Sequence, residues 1–214
     1  MMAKRAAQEI KDGQYVNLGI GIPTHVSNWI ADREVILHTE IGMLNMGPLV
    51  AGGDNELFTL NSACEPVAIL PGAAYVDIVE SFSMIRGGHI DITIMGAFQV
   101  NYRGDYAGWA TRERIQYGIG NIGGSMDLAT GANRLIIAMT HTTKEGEPKI
   151  VRELSYPVTA KGKVDMIITD IAVLDVISEG LMLREIYPGL TSQDIQSVTE
   201  PELIISPELK DIYL

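Results

Sequence analysis

Residues Val16–Pro23 read VNLGIGIP. An apolar run ends in two glycines, and a proline then stands where a helix can begin. A buried strand that turns straight into a helix is the building unit of an α/β sheet. Gly19 and Gly21 let the backbone approach a ligand closely and aim unpaired helix N–H groups at an anion. A tight structural turn accounts for the same residues equally well. The stretch lacks the third glycine of a dinucleotide fingerprint and the Gly-Lys-Ser/Thr of a phosphate-binding loop.

Outward from this stretch, similar runs recur at Val35–Glu40, Val67–Leu70, Ile90–Gly96, Leu135–Met139, Val164–Thr169 and Leu181–Ile186. They are continuous in Val, Ile and Leu, as expected of strands covered on both faces. Helical spacing appears in Ala3–Lys11, where Ala6, Ala7 and Ile10 share a face, in Thr24–Ala31 behind Pro23, and in Tyr75–Ile85. Thr191–Asp194 (TSQD) predicts the capped start of a short helix through Val198. Lys144–Pro148 reads as a hairpin loop. Several strand runs follow one another without a helix between them. The pattern therefore predicts a mixed α/β fold, a mostly parallel open sheet with flanking helices, as one domain over residues 1–214. Glu200–Leu214 is apolar but not helical in period, and reads as packing on its own domain or as a subunit contact.

Composition narrows the function. Of 214 residues, 46% are apolar and 20% charged, which excludes disorder. A net charge of −11 without a basic cluster argues against nucleic acid and anionic membranes as partners. Met1–Asp12 has no apolar signal core, no run is long enough to span a bilayer, and the lone Cys64 makes no internal disulfide. A cytoplasmic protein is expected. Cys64 itself reads as a small buried thiol. His25, His38, His89 and His141 fall in no ligand motif, so no metal is expected, and no GxSxG serine elbow is present.

The chemistry concentrates at Thr39–Pro48, TEIGMLNMGP. Glu40 ends an apolar strand and Gly42 follows it, where open α/β sheets place their ligands. A carboxylate partly withdrawn from water there is a nucleophile, and the glycine leaves room for a substrate; a solvated strand-end glutamate is the plainer reading. Gly87-Gly88 and the glycine-dense Gly118–Asp127 are further turns. Successive N–H groups such as those of Gly123 and Gly124 suit an anion or an oxyanion.

Taken together, VNLGIGIP, the E-x-G-x-x-x-M-G-P stretch from Glu40, LPGA (Leu70–Ala73), SFSMIRGGHIDITIMGAFQV (Ser81–Val100), GDYAGW (Gly104–Trp109), GGSMDL (Gly123–Leu128) and IITDIAVLDV (Ile168–Val176) resemble the B (β) subunit of the family I 3-oxoacid CoA-transferases. The resemblance runs from about residue 4 into the C-terminal segment. It implies a fold of the CoA-transferase and sugar-phosphate isomerase type. It also implies ping-pong transfer of CoA between an acyl-CoA and a small carboxylic acid, in ketone-body or short-chain fatty acid metabolism. Glu40 matches the family's nucleophile and Gly124 its oxyanion N–H, while Gly19, Gly21, Gly42 and Gly123 match substrate- and CoA-binding positions. Coenzyme A is then a substrate, with no permanently bound cofactor. The partner is an A subunit, commonly in an α2β2 assembly, whose glutamine supplies a second oxyanion donor.

Two departures stand near the implied acyl site. Ile41 replaces the family's asparagine, and the 110–122 segment is longer than usual and lacks its proline. Acyl specificity is where these would act. The competing readings are an acyl-CoA hydrolase on the same scaffold, a sugar-phosphate isomerase or effector-sensing domain using the Gly19–Thr24 turn, and a silent structural subunit.

Overall fold

The computed structural model describes residues 1–50, 59–118 and 120–214. In chain order the elements are α1 (Met2–Ala7), β1 (Tyr15–Leu18), a 3-10 helix (Ile22–Trp29), β2 (Ile36–Thr39), β3 (Met43–Leu49), β4 (Val67–Tyr75), α2 (Ile78–Arg86), β5 (Ile92–Met95), β6 (Gln99–Asn101) and β7 (Tyr106–Ala107). There follow α3 (Arg112–Gln116), α4 (Ser125–Gly131), β8 (Arg134–Ala138), β9 (Ile150–Val151), β10 (Val164–Ile168), β11 (Ala172–Ile177), β12 (Gly180–Ile186), α5 (Ser192–Ser197) and β13 (Leu203–Asp211).

Ten strands form one sheet in the order β13-β12-β11-β10-β8-β5-β1-β2-β3-β4, and β7-β6-β9 form a small second sheet. The centre, β10-β8-β5-β1-β2, is parallel. Antiparallel strands flank it on both sides, and β13 returns parallel to β12 at one edge. The centre of the sheet is covered on both faces, as the continuous apolar runs require, while β4 and β13 are largely exposed. In β8, Ile136 and Ala138 join one buried cluster with α1 and the 3-10 helix, while Leu135 and Ile137 join another with α2, α4 and α5. This alternation is the period-2 signature of a strand buried on both sides.

Local signals mostly act as their chemistry dictates. The Thr191 side chain accepts from Asp194 N and the Asp194 carboxylate accepts from Thr191 N, a complete capping box on α5. The hairpin at Lys144–Pro148 closes through Thr143 N to Glu147 O at 2.8 Å. α2 begins later than Tyr75, because β4 runs on through that residue and Asp77 caps the helix by accepting from Glu80 N. The segment after Pro23 forms a 3-10 helix.

Three strand boundaries depart from the pattern, each at a proline. β3 contains Gly47-Pro48, and its pairing with β4 slips there. Pro71 lies in β4 and Pro207 in β13, the two edge strands of the sheet. A proline lacks the N–H of a central ladder but is accepted at an edge or a bulge. β13 packs the C-terminal segment on its own domain, with Leu203 and Ile212 buried.

Charge is buried at one point on the sheet. Arg5 on α1 makes a two-pronged pair with Glu185 on β12, at 2.7 and 3.0 Å, with both side chains only 4% exposed. Glu9 joins them, bonding Arg5 at 2.8 Å and Arg134 at 2.9 Å. This clamp fixes α1 across the sheet.

Candidate active site

β1 pairs with β2 on one side and with β5 on the other, although β5 follows β4 in the chain. Such a divergence opens a crevice beyond the carboxyl ends of the strands. A cavity of about 670 Å³ lies there. Gly19 reaches it from the end of β1, Glu40 from β2, Gly96 from β5 and Thr140 from beyond β8. Gly123 and Gly124, ahead of α4, form a further wall. Among the described residues lining it, Glu40 is the one carboxylate and Lys149 the one cation.

Glu40 is half-buried and held by its neighbours. Ser62 Oγ donates to Glu40 Oε2 at 2.9 Å, and Asn17 Nδ2 approaches the same oxygen at 3.4 Å. Asn17 is fully buried on β1, and its amide also donates to His38 Nδ1 at 3.1 Å and to His38 O at 3.2 Å. The other ring nitrogen, His38 Nε2, faces Ser81 Oγ at 2.9 Å, and Ser81 Oγ donates to Thr39 O. Burial pushes the His38 pKa down while Glu40 pulls it up, and burial prevails. A neutral ring with Nδ1 as acceptor suits the Asn17 amide. The chain of polar groups thus runs beneath Glu40 and fixes the strand end that carries it.

The glycines divide. Gly19 donates its N–H to Ile94 O at 2.8 Å, and a Cβ there would meet that oxygen at 3.1 Å and Met95 Cα at 3.3 Å. Gly19, Gly123 and Gly124 line the cavity together with Glu40. Gly21 and Gly42 are not among its lining residues. Gly42, at φ 109°, forms the turn behind Glu40, where a Cβ would stand 2.2 Å from Val76 O. The left-handed backbone of the glycine pair is at Gly123 (φ 50°), whereas Gly124 has φ −84°. Gly124 needs its missing side chain for space. The Gly124 N–H meets no acceptor among the described residues.

Several functional candidates carry no motif in the sequence. Asn17 was visible as an amide inside an apolar run, and His38 as a histidine two residues before Glu40. Ser62 and Lys149 come from loops distant in sequence, and only folding brings them to the cavity. Cys64, expected to be buried, is exposed and has φ 60° in the turn that carries Ser62. That turn is tied by Cys64 N to Asn61 O at 3.0 Å, which leaves the thiol pointing outward rather than packed. Of the 110–122 segment, Ile119 lies outside the described residues; Trp109, Asn121 and Ile122 line the cavity. Among the described residues no three His, Cys, Asp or Glu side chains gather as a metal site, and no helix is long and apolar enough to cross a membrane.

The crevice at the switch point of the α/β sheet thus brings one carboxylate and a glycine pair together. The chain belongs to the coenzyme A transferase family, whose model matches residues 1–197. It is 46% identical over 203 residues to the B subunit of the 3-oxoadipate CoA-transferase of Pseudomonas putida, a match covering 95% of this chain and 94% of that protein. It is 42% identical over 206 residues to the B subunit of the probable succinyl-CoA:3-ketoacid coenzyme A transferase of Bacillus subtilis, covering 96% and 94%. Among solved structures, the acyl-CoA transferase YdiF of Escherichia coli O157:H7, in a thioester complex with CoA, matches with a TM-score of 0.76 at 26% identity. That match covers 99% of this chain but 42% of the other, so the chain spans about two-fifths of YdiF. The glutaconate CoA-transferase of Acidaminococcus fermentans shares the fold, with a TM-score of 0.73 at 17% identity.

Proposed function

We propose that this chain is the B subunit of a CoA-transferase in which Glu40 carries CoA between an acyl-CoA and a small 3-oxo or other carboxylic acid. The observation behind this reading is the isolation of Glu40. It is the one carboxylate among the described cavity-lining residues, fastened by Ser62 and Asn17 and close to Gly124, whose N–H meets no acceptor among the described residues.

The Glu40 carboxylate attacks the thioester carbonyl, the C–S bond breaks, and CoA leaves as thiolate from a mixed acyl–glutamyl anhydride. Thiolate then attacks the glutamyl carbonyl, displacing the first carboxylic acid as its carboxylate and leaving a glutamyl-CoA thioester. A second carboxylate reverses both steps and restores Glu40. Each step passes through a tetrahedral oxyanion, for which the Gly124 N–H is one donor. The thioester is conserved throughout, so neither nucleotide hydrolysis nor a resident cofactor is called for. Water must be kept from the glutamyl thioester. The partner A subunit completes the second oxyanion donor and the wall of the cavity, in an α2β2 assembly. The relatives, both named as B subunits, support a split enzyme of this kind.

The test is chemical trapping. The complex with its A partner is incubated with acyl-CoA and then reduced with borohydride, which converts a thioester to an alcohol. Peptide mapping is expected to place the modification on Glu40 alone, and Glu40→Gln to lose turnover by several orders of magnitude, since an amide is a poor nucleophile. An unmodified Glu40 in an active complex would refute the assignment.

A further inference from the structure

Lys149 stands at the far side of the same cavity. Its Nζ lies 3.3 Å from Thr140 Oγ1, just beyond the end of β8. β8 and β2 are three positions apart in the sheet, with β5 and β1 between them. At the usual strand spacing, this sets about 14 Å of sheet between the strand that carries Glu40 and the one beside Lys149. Lys149 and Glu40 thus enter the same space from opposite sides, and their side chains shorten the gap between the strands.

Its surroundings leave it unfinished. No carboxylate of the described residues comes within ion-pair distance of Lys149. Burial pushes its pKa down and the field of Asp170 only partly offsets this, while the Asp170 carboxylate is itself occupied by His141 N at 2.7 Å. A half-buried cation without a paired anion is costly. Trp109 also lines the cavity, but its Nε1 is shut away from that space and offers a guest nothing. A cavity whose one lining cation among the described residues has a single hydroxyl partner and no ion pair suits a guest that brings a negatively charged oxygen.

We propose that Lys149 selects the acyl group by binding an oxygen acceptor, a second carboxylate above all, at the end of the chain remote from the reacting carboxyl. This deepens the transferase reading and rests on it. The phosphates of CoA are a weaker match, because they sit beyond a long neutral arm and a lone ammonium shadowed by Asp170 suits a single carboxylate better than a diphosphate. Plain fatty acids offer Lys149 nothing.

The experiment uses the complex with its A partner, acetyl-CoA as common donor, and three acceptors: succinate, acetoacetate and butyrate. For Lys149→Met, kcat/KM is expected to fall roughly 100-fold with succinate and about 10-fold with acetoacetate, the range of a lost charged or neutral-acceptor hydrogen bond, and less than about twofold with butyrate. Lys149→Arg is expected to recover most of the succinate rate. Lys149→Gln serves as a second uncharged variant should the methionine variant fail to assemble. An equal loss with all three acids, or a raised KM for acetyl-CoA alone, would overturn the proposal and assign Lys149 to the coenzyme. Failure of the wild-type complex to transfer CoA to any acid would instead refute the transferase reading beneath it.

Discussion

A methyl group on Gly124 would stand 3.3 Å from Glu40 Cγ and 3.1 Å from Phe82 Cζ. The glycine is thus in contact range of the candidate nucleophile, although 84 residues of sequence separate them.

Gly124→Ala follows from that contact. The backbone at φ −84° accepts alanine without strain, so assembly and melting temperature are expected to stay near wild type. The new methyl displaces either Glu40 or the oxyanion, and turnover is expected to fall roughly 10- to 100-fold, within the cost of a damaged oxyanion site. Steady-state kinetics of the assembled complex decide it; wild-type turnover would remove Gly124 from the mechanism.

Ser62→Ala removes the hydroxyl that holds Glu40 Oε2 at 2.9 Å. One hydrogen bond to an exposed-side carboxylate is lost while Asn17 remains, so turnover is expected to drop about tenfold. The trapped glutamyl intermediate should form more slowly in rapid-quench measurements, with the extent at equilibrium little changed. An unaltered formation rate would show that Asn17 alone orients the carboxylate.

The clamp between α1 and β12 sets stability. Arg5→Met leaves Glu185 buried without its main partner, and denaturant unfolding should report a loss of about 3–5 kcal/mol. The double variant Arg5→Met with Glu185→Leu should regain much of it, because the desolvated charge is gone as well. A double variant no better than the single would show that the pair contributes net attraction.

Acid should weaken the fold through His141. Its ring is buried between Thr169 Oγ1 at 3.0 Å and Thr199 Oγ1 at 2.9 Å. Burial lowers its pKa from 6.5 to about 4. The unfolded chain binds the proton first as pH falls, so the contribution is whole above pH 6.5, declines below it, and is exhausted near pH 4. The total is about 3 kcal/mol at 1.36 kcal/mol per unit. Urea titrations at a series of pH values should show this slope in the wild type and a shallower one in His141→Gln. Parallel slopes would show that His141 is not the titrating group.

The parallel centre of the sheet was legible because strands buried on both faces write long apolar runs, as at Leu135–Met139 and Val164–Thr169. Glu40 was legible as a charged residue closing such a run. The margins were not. β3 and β13 carry no long apolar run and each holds a proline, accommodated by the slipped pairing of β3 and the edge position of β13. Ser62 and Lys149 carry no local mark at all. Their place at the cavity depends on loops whose course is set by tertiary contacts, and the exposure of Cys64 follows from the same turn that delivers Ser62.

The prolines of β4 and β13 have one more consequence. Among the described residues the ten-stranded sheet ends in β4 and β13, and each displays an isoleucine near half exposure, Ile69 on one side and Ile205 on the other. Such borders invite a neighbouring molecule to add its own strand and start a growing stack. Pro71 and Pro207 each leave one of these border strands a backbone donor short. Each border therefore offers one hydrogen bond fewer to a molecule that would extend the sheet.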